Sequence, residues 1–206
     1  MPMARRRGWG GDPPHSDEEA TRRIVTAAVE LVSSTGTAIS LAEVANSLGI
    51  IRQTVYRYFP TSDALMHAVA MASVDAFLDR LSTAVEGIHD PAEAITEGTV
   101  FTLDEVTRTP HLGILLSESY PHDHSGALTS AEARAIGMRM IDRFDVDWSA
   151  YGYDETSLGE LVEFTLRTML SFFVAPNTDR TPQELRKFLR RWLGGAVAAQ
   201  QTQSPN

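Results

Sequence analysis

Apolar residues recur at intervals of three and four along most of this chain, the period of an α-helix buried on one face. The clearest case is the last periodic segment, which contains Leu185, Phe188, Leu189, Trp192, Leu193, Ala196 and Val197. The segment before it, from about Glu155 to Val174, has a broader apolar stripe and must therefore be buried on more than one side. The pattern predicts an all-α protein.

Capping signals indicate where the predicted helices begin and end. Ser16 with Glu19 has the pattern of a capping box, and a helix is expected from there to about Thr35. Asp90 followed by Pro91 gives an N-cap with proline at the first helical position. Further helices are predicted over about 62–85, 91–108, 129–148, 155–174 and from 182 onward, with a short segment at 109–116.

The stretch from Ser40 to Phe59 predicts two short helices joined by a tight turn. Ser40 and Glu43 have the spacing of a second capping box, and Gly49 supplies the left-handed backbone that a sharp corner needs. A second helix is expected from about 51 to 58. The residues expected to face inward on it are Ile51, Val55 and Phe59. We interpret the pair as a helix-turn-helix.

The outward-facing side chains of the second helix suit nucleic acid. They supply guanidinium, amide, hydroxyl and phenol groups, which can read base edges and bind phosphates. They are Arg52, Gln53, Thr54, Tyr56, Arg57 and Tyr58. The alternative is an ordinary helical hairpin of an all-α protein, since capped amphipathic helix pairs are common.

The run Leu-Ala-Glu-Val-Ala-x-x-Leu-Gly-Ile-x-x-x-Thr-Val-Tyr-Arg-Tyr-Phe-Pro resembles the DNA-binding signature of the TetR family of bacterial repressors. Its most distinctive part is Tyr-Arg-Tyr-Phe-Pro at 56–60. The specific resemblance spans residues 17–65, and the remainder is similar in length and helix pattern only. Two positions depart from the family: Ile51 replaces a small polar N-cap, and Ser62 stands where a phosphate-binding lysine is common.

The resemblance implies a three-helix DNA-binding domain with a helix-turn-helix, followed by a helical ligand-binding and dimerisation domain. The expected boundaries are a disordered basic arm at 1–15, the first domain at 16–61, the second at 62–200 and a disordered tail at 201–206. It implies a DNA-binding transcriptional regulator, a ligand-responsive repressor that binds a palindromic operator as a homodimer. Ligand binding would move the helix that begins near Ser62 and change the separation of the two recognition helices.

Base reading is assigned to Arg52 and Gln53, because a guanidinium pairs with guanine and an amide with adenine. The residues expected mostly to hold phosphates are Thr37, Ser40, Thr54, Tyr56 and Tyr58, with Arg57 open between the two roles. Arg22 and Arg23 are either phosphate contacts or part of a solvated face. The basic arm at 5–7 either contacts DNA or is an ordinary solubilising terminus.

The resemblance also implies a pocket in the second domain for an unidentified small-molecule effector. Its expected lining is Phe101, Leu112, Leu115, Leu116, Met138, Ile141, Phe144, Phe164 and Phe172, with His111, Tyr120 or Arg139 as polar selectors. Ordinary core is the alternative for each. In the family, two C-terminal helices of each subunit form a four-helix dimer interface. The residues expected there are Leu158, Val162, Thr165, Met169, Leu185, Phe188, Leu189, Trp192, Leu193 and Ala196, unless both helices belong wholly to the intrachain core.

Charge is distributed unevenly along the chain. Its net charge of −9 by itself argues against DNA binding. Residues 1–62, however, hold seven arginines against six acidic residues, a net of +1, which leaves −10 for the remainder. A near-neutral DNA-facing module on an acidic body fits this asymmetry. The alternative function is an acidic helical module that binds a ligand or protein partner and has lost DNA binding.

Several other classes of protein are not expected. The absence of cysteine excludes disulfides and thiolate metal sites. His122-Asp123-His124 and the single pair Glu86 and His89 do not have the spacing of zinc, EF-hand or di-iron sites. No nucleotide-binding or nucleophile-elbow motif occurs, so neither an enzyme nor a cofactor is expected. Without a secretion signal or an apolar span, a cytoplasmic protein with no membrane partner is expected.

Overall fold

The computed structural model describes residues 8–37, 39–109, 112, 131–175 and 180–201. Within these ranges the regular structure is entirely helical, which confirms the all-α prediction. None of the described helices has the length and apolar character needed to cross a bilayer. The described residues group into two compact units, one reaching from the N-terminal side to Ser73 with 109 and 112, the other comprising 74–108 and the residues from Ala131.

The first unit contains the predicted helix-turn-helix. Its helices are α1 (Asp17–Thr35), α2 (Leu41–Ser47), α3 (Arg52–Tyr58) and the first half of α4 (Ser62–Ala84). At the corner between α2 and α3, Gly49 has a φ of 65°, the left-handed conformation that the sequence predicted for it. A side chain there would be strained, so the glycine sets the angle between the two helices.

The N-terminal caps follow the sequence with one difference. Ser40 and Glu43 form a complete capping box, in which the Glu43 carboxylate accepts the Ser40 amide at 2.7 Å. The hydrogen bond from the Ser40 hydroxyl, followed by this amide bond, holds the pKa of Glu43 below its usual value. At α1, the Ser16 hydroxyl accepts the Glu19 amide, but the Glu19 carboxylate accepts the amide of His15 instead of that of Ser16. The first predicted box is therefore only half formed.

The core of the first unit fixes the orientation of α3. Its fully buried members come from all four helices and include Ile24, Ala28, Val44, Val55, Leu65 and Val69. Burying one valine or leucine side chain of this kind contributes roughly 1.5–3 kcal/mol. Because Val55 is buried at the centre of α3, the faces of α3 away from Val55 are left for other contacts.

The start of the chain differs from its prediction. Residues 8–12 were expected to belong to a disordered arm, yet Trp9–Gly11 form a 3₁₀ turn that packs on the first unit. The Trp9 amide donates to the carbonyl of Leu48 at 3.0 Å. The basic cluster at 5–7 lies outside the described residues.

The second unit is built around α5 (Pro91–Arg108). The elements around it are the second half of α4, α6 (Ala131–Ile141), a 3₁₀ turn (Trp148–Tyr151), α7 (Glu155–Val174), α8 (Pro182–Leu189), a π-helical turn (Arg190–Gly194) and α9 (Gly195–Gln201). Helix α5 contacts α7, α8, the π-helical turn and α9. It therefore occupies the centre of this unit.

Helix α6 ends at Ile141, whereas the sequence predicted a helix to about Trp148. Two hydrogen bonds hold the chain after it in a different path. The Asp145 carboxylate accepts the Gly87 amide at 2.8 Å, and the Asp145 carbonyl lies 2.7 Å from Nδ1 of His89. These tertiary contacts outweigh the local helical period.

The C-terminal helix is also interrupted where a continuous helix was expected. The π-helical turn brings Gly194 against α5, where an added Cβ would lie 2.9 Å from the Thr96 hydroxyl and 3.3 Å from the Ala92 carbonyl. The buried side chains on either side of the turn are Leu189, Leu193 and Val197. The turn therefore allows a closer approach to α5 while the apolar period continues.

Replacing Gly137 with alanine is expected to lower the free energy of unfolding by about 1–3 kcal/mol. Helix α6 packs on α7 at this glycine, and an added Cβ would lie 2.4 Å from Cγ1 of Val162, a side chain that is stiff about χ1. Gly159→Ala in α7 is the matched control, since nothing lies within 4 Å of its added Cβ. Urea denaturation should show that Gly159→Ala leaves the free energy of unfolding unchanged or raises it. An equal decrease in both variants would contradict the prediction.

Candidate functional site

The exposed face of α3 carries the two residues predicted to read bases. Arg52 and Gln53 occupy the first two positions of α3 and are exposed. Val55, in the same helix, is fully buried. The guanidinium and the amide therefore stand on a rigid, packed helix, which is what direct contact with base edges requires.

The prediction for Ile51 was wrong. It was expected to face inward, but its side chain is 66% exposed. It is the N-cap of α3, with φ −79° and ψ 146°, so its extended backbone does not share the helical period of Val55 and Phe59. Its side chain makes no capping hydrogen bond. The result is an exposed aliphatic group beside Arg52, the type of side chain that contacts a thymine methyl.

Arg52 is held along the helix by Tyr56, one turn later. The guanidinium carbon lies 4.9 Å from the centroid of the Tyr56 ring, and Nη2 donates to the phenol oxygen. This combination of cation–π contact and hydrogen bond restricts the long arginine side chain before any partner is present. Tyr56 therefore supports Arg52 as well as offering its own phenol.

Asp17, at the first position of α1, engages two further predicted DNA contacts. Its carboxylate lies 3.2 Å from Nη2 of Arg57 and accepts the Tyr58 phenol at 2.8 Å. The bond to Asp17 is the main reason that the pKa of Tyr58 is raised, so this phenol stays a hydrogen-bond donor. A phosphate bound by Arg57 would replace Asp17. Sequence reasoning missed this residue because its partners lie 40 positions away.

The remaining predicted phosphate contacts differ in how available they are. Thr37 is exposed and Thr54 is half-buried. The Ser40 hydroxyl already donates to Glu43 at 2.7 Å, so a phosphate would compete with the cap. Arg23 is not part of a free basic face, because its guanidinium donates to the Asp12 carbonyl at 2.6 Å and pairs with the carboxylate of that residue.

A cavity of about 30 Å³ lies within the second unit, at the junction of α5, α6 and α7. Its lining is Ile95, Gly98, Thr99, Gly137, Met140, Ile141, Phe144, Val162, Thr165, Leu166 and Met169. The hydroxyls of Thr99 and Thr165 are buried and make no hydrogen bond. The cavity is thus apolar apart from two unpaired hydroxyl groups.

Two of the predicted effector-binding residues, Ile141 and Phe144, line this cavity. Leu115, Leu116 and Tyr120 lie outside the described residues, as does His111. Leu112 is buried and belongs to the first unit. Arg139, a predicted polar selector, instead forms an ion pair with Asp75.

The other predicted lining residues face elsewhere. Phe101 packs on Phe77 with ring centroids 6.1 Å apart, and Phe172 meets Phe188 edge to face at 5.9 Å. Phe164 is 47% exposed and is not part of the cavity wall. Met138 also does not line it, and Met140 does. The predicted lining included several aromatic side chains, whereas the cavity wall is built mainly from aliphatic residues and glycines.

The predicted dimer-interface residues divide into two sets. Those with less than 10% exposure are Val162, Met169, Leu189 and Leu193, which belong to the core of their own protomer, contrary to the prediction. Thr165 is half-buried and lines the cavity. The positions that remain at least partly exposed are Leu158, Leu185, Phe188, Trp192 and Ala196. Trp192 is the most exposed large side chain of this set, at 63%.

The cavity residues that sequence reasoning missed include Thr99, Gly98 and Gly137. A signal for Thr99 exists in the sequence, since Thr96, Thr99 and Thr102 fall on one face of α5 and all three are buried. Hydroxyls on an otherwise apolar buried face need partners. Nothing in the sequence indicates the two glycines, whose close neighbours come from distant segments.

No group of three or more His, Asp or Glu side chains among the described residues has the arrangement of a metal site. The triplet His122-Asp123-His124 lies outside those residues. The surface of α3 and the cavity of the second unit are therefore the two candidate sites.

The comparisons with known proteins agree with the helix-turn-helix. The family model described as "Bacterial regulatory proteins, tetR family" matches residues 24–69, which run from α1 into α4. This segment has the DNA-binding domain of the TetR family. The chain is accordingly a DNA-binding transcriptional regulator. No curated protein matches it in sequence.

Solved structures, two of them described as TetR-family proteins, share the fold over most of this chain. The TetR-family repressor AlkX from Dietzia sp. strain DQ12-45-1b is 19% identical, covers 91% of this chain and 98% of its own, and has a TM-score of 0.59. RolR in complex with resorcinol is also 19% identical, covering 92% and 96% with a TM-score of 0.57. A regulator from Rhodococcus sp. RHA1 is 23% identical, covering 88% and 97% with a TM-score of 0.53. At these identities the likeness describes the fold alone.

Proposed function

We propose that this TetR-family regulator is a ligand-responsive repressor that binds a palindromic operator as a homodimer and acts in the cytoplasm. The observation that carries the proposal is the surface of α3, where Arg52 and Gln53 are exposed on a helix fixed by the buried Val55. Two such helices, related by a dimer axis, would enter successive major grooves on one side of the DNA.

Dimerisation is supported by apolar side chains on α7 and the C-terminal segment. Phe164 and Trp192 are 47% and 63% exposed, although both are large and apolar. Exposed aromatic groups of this size are typical of interaction surfaces. The proposed interface uses these two residues with Leu158, Leu185, Phe188 and Ala196, and leaves the buried residues of α7 in the core.

The ligand response is supported by the cavity in the second unit and by the continuity of α4. Ser62–Ala84 is one uninterrupted helix of 23 residues, with its first half in the DNA-binding unit and its second half in the unit that holds the cavity. A ligand that favours one position of α4 would change the separation of the two α3 helices and lower operator affinity by a population shift. The proposed domain boundary precedes α4, whereas the compact units divide within this helix, between Ser73 and Val74.

The proposal is tested by enrichment of genomic DNA fragments at low and moderate salt. We expect the protein to enrich fragments that share a palindrome with half-sites about one helical turn apart. The double variant Arg52→Ala with Gln53→Ala is the matched control, since both residues are exposed and outside the core. Failure of the natural protein to enrich any common site would instead favour an acidic helical module that does not bind DNA.

A further inference from the structure

Two threonines inside the second unit have hydroxyls without a hydrogen-bond partner. Thr99 in α5 is 2% exposed, and Thr165 in α7 has a buried Oγ1. Both residues line the same cavity of about 30 Å³. Buried hydroxyls are normally paired, so two unpaired ones on one cavity require an explanation.

Neighbouring threonines of the same helices behave differently. The Thr96 hydroxyl donates to the Ala92 carbonyl at 2.7 Å, and that of Thr102 donates to the Gly98 carbonyl at 2.7 Å. In α7, the Thr168 hydroxyl donates to the carbonyl one turn earlier at 2.9 Å. This bond is the usual way in which a threonine within a helix satisfies its hydroxyl. Thr99 and Thr165 lack it and leave their hydroxyls available at the cavity wall.

The chemistry of the wall restricts what the cavity can hold. None of its lining residues is charged, so an ionic ligand would be buried without a counter-charge. A space of about 30 Å³ holds roughly two water molecules as it stands. Met140 and Met169 form part of the wall, and flexible methionines can move to admit a larger apolar group.

We propose that this cavity binds an uncharged, mostly apolar molecule no larger than a single ring, whose oxygen atoms hydrogen-bond to Thr99 and Thr165. The proposal rests on the proposed function, because this molecule would be the effector of the regulator. It excludes carboxylates, phosphates and charged phosphate esters as the principal ligands. It also gives both threonines a role in selecting oxygen-bearing rings over hydrocarbons.

The experiment measures the affinity of the full-length protein for phenol, benzene and benzoate by calorimetry, without DNA. Phenol is expected to bind about tenfold more tightly than benzene, and benzoate not to bind. The double variant Thr99→Val with Thr165→Val keeps the shape and is expected to bind phenol and benzene equally. Thr168→Val, on the same helix but outside the cavity, is the matched control and should keep the preference. The serine pair, Thr99→Ser with Thr165→Ser, should also keep it.

Three results would overturn the cavity proposal: no binding of any probe, benzoate binding as tightly as phenol, or an unchanged preference in the valine pair. Operator binding with and without phenol separates this proposal from the proposed function. Phenol that binds at the threonines without affecting operator affinity would refute the ligand response alone. Release of operator by phenol that persists in the valine pair would refute the cavity assignment alone.

Discussion

Trp192→Glu is expected to convert the proposed dimer into monomers and to lower operator affinity about a hundredfold or more, because the second half-site is no longer held at high effective concentration. Trp192 is 63% exposed, and tryptophans at the centre of an interface commonly contribute a large share of its energy. In a two-fold interface each substitution occurs twice, so two carboxylates would be buried against apolar surface.

Sedimentation and fluorescence anisotropy with operator DNA would measure the two parts of this prediction. Gln183→Glu is the matched control, since it adds the same charge at an exposed position of α8. The Trp192 variant should keep the affinity of the natural protein for an isolated half-site, because α3 lies in the other unit. A natural protein that is monomeric at operator-binding concentrations, or a Trp192 variant that remains dimeric, would contradict the proposed interface.

The helix-turn-helix could be predicted because its determinants are local. Ser40 and Glu43 cap α2 through groups three residues apart, and Gly49 forms the corner through its own backbone. Such features need no knowledge of distant segments. The buried positions of α3 and α4 followed equally well from their period, as the full burial of Val55 and Leu65 illustrates.

The errors arise where distant segments decide the structure. Ile51 has the right spacing from Val55 to face inward, but it precedes the helix and its extended backbone turns it outward. Arg23 was left open between a phosphate contact and a solvated face, and the structure pairs it with Asp12 instead. Asp145 ends α6 through its contacts with Gly87 and His89, 58 and 56 positions away.

The two candidate sites also differ in how far the sequence alone could predict them. The exposure of Arg52 and Gln53 could be predicted because a helix places its surface residues by a simple period. The cavity depends on three helices that meet at Gly98 and Gly137, where an added Cβ would collide with Phe144 and Val162, respectively. Periodicity marks a residue as buried but does not distinguish a close-packed wall from a cavity. This is why several cavity residues were assigned to a dimer interface.

Arg52→Ala is expected to lower operator affinity by about 1–3 kcal/mol, about fivefold to 150-fold, and to relax the preference for guanine at one position of each half-site. The reason is that Arg52 is exposed at the start of α3 and is already restrained by Tyr56, whose ring centroid lies 4.9 Å away. A restrained guanidinium loses less conformational entropy on pairing with a base than a free one. Tyr56→Phe, which keeps the ring and removes the hydroxyl, should have a smaller effect.

Arg57→Ala shows what the loss of a phosphate contact does to operator affinity, for comparison with the loss of a base contact at Arg52. In the free protein Arg57 is paired with Asp17 at 3.2 Å, so its contact with a phosphate would be gained at the expense of that ion pair. We therefore expect Arg57→Ala to weaken all sequences by a similar, smaller factor and to reduce the salt slope by about 1. Selection from a randomised operator library measures both variants. If Arg52→Ala kept the natural site preference and only the salt slope changed, Arg52 would be a phosphate contact, and base reading would fall to Gln53 and the exposed Ile51.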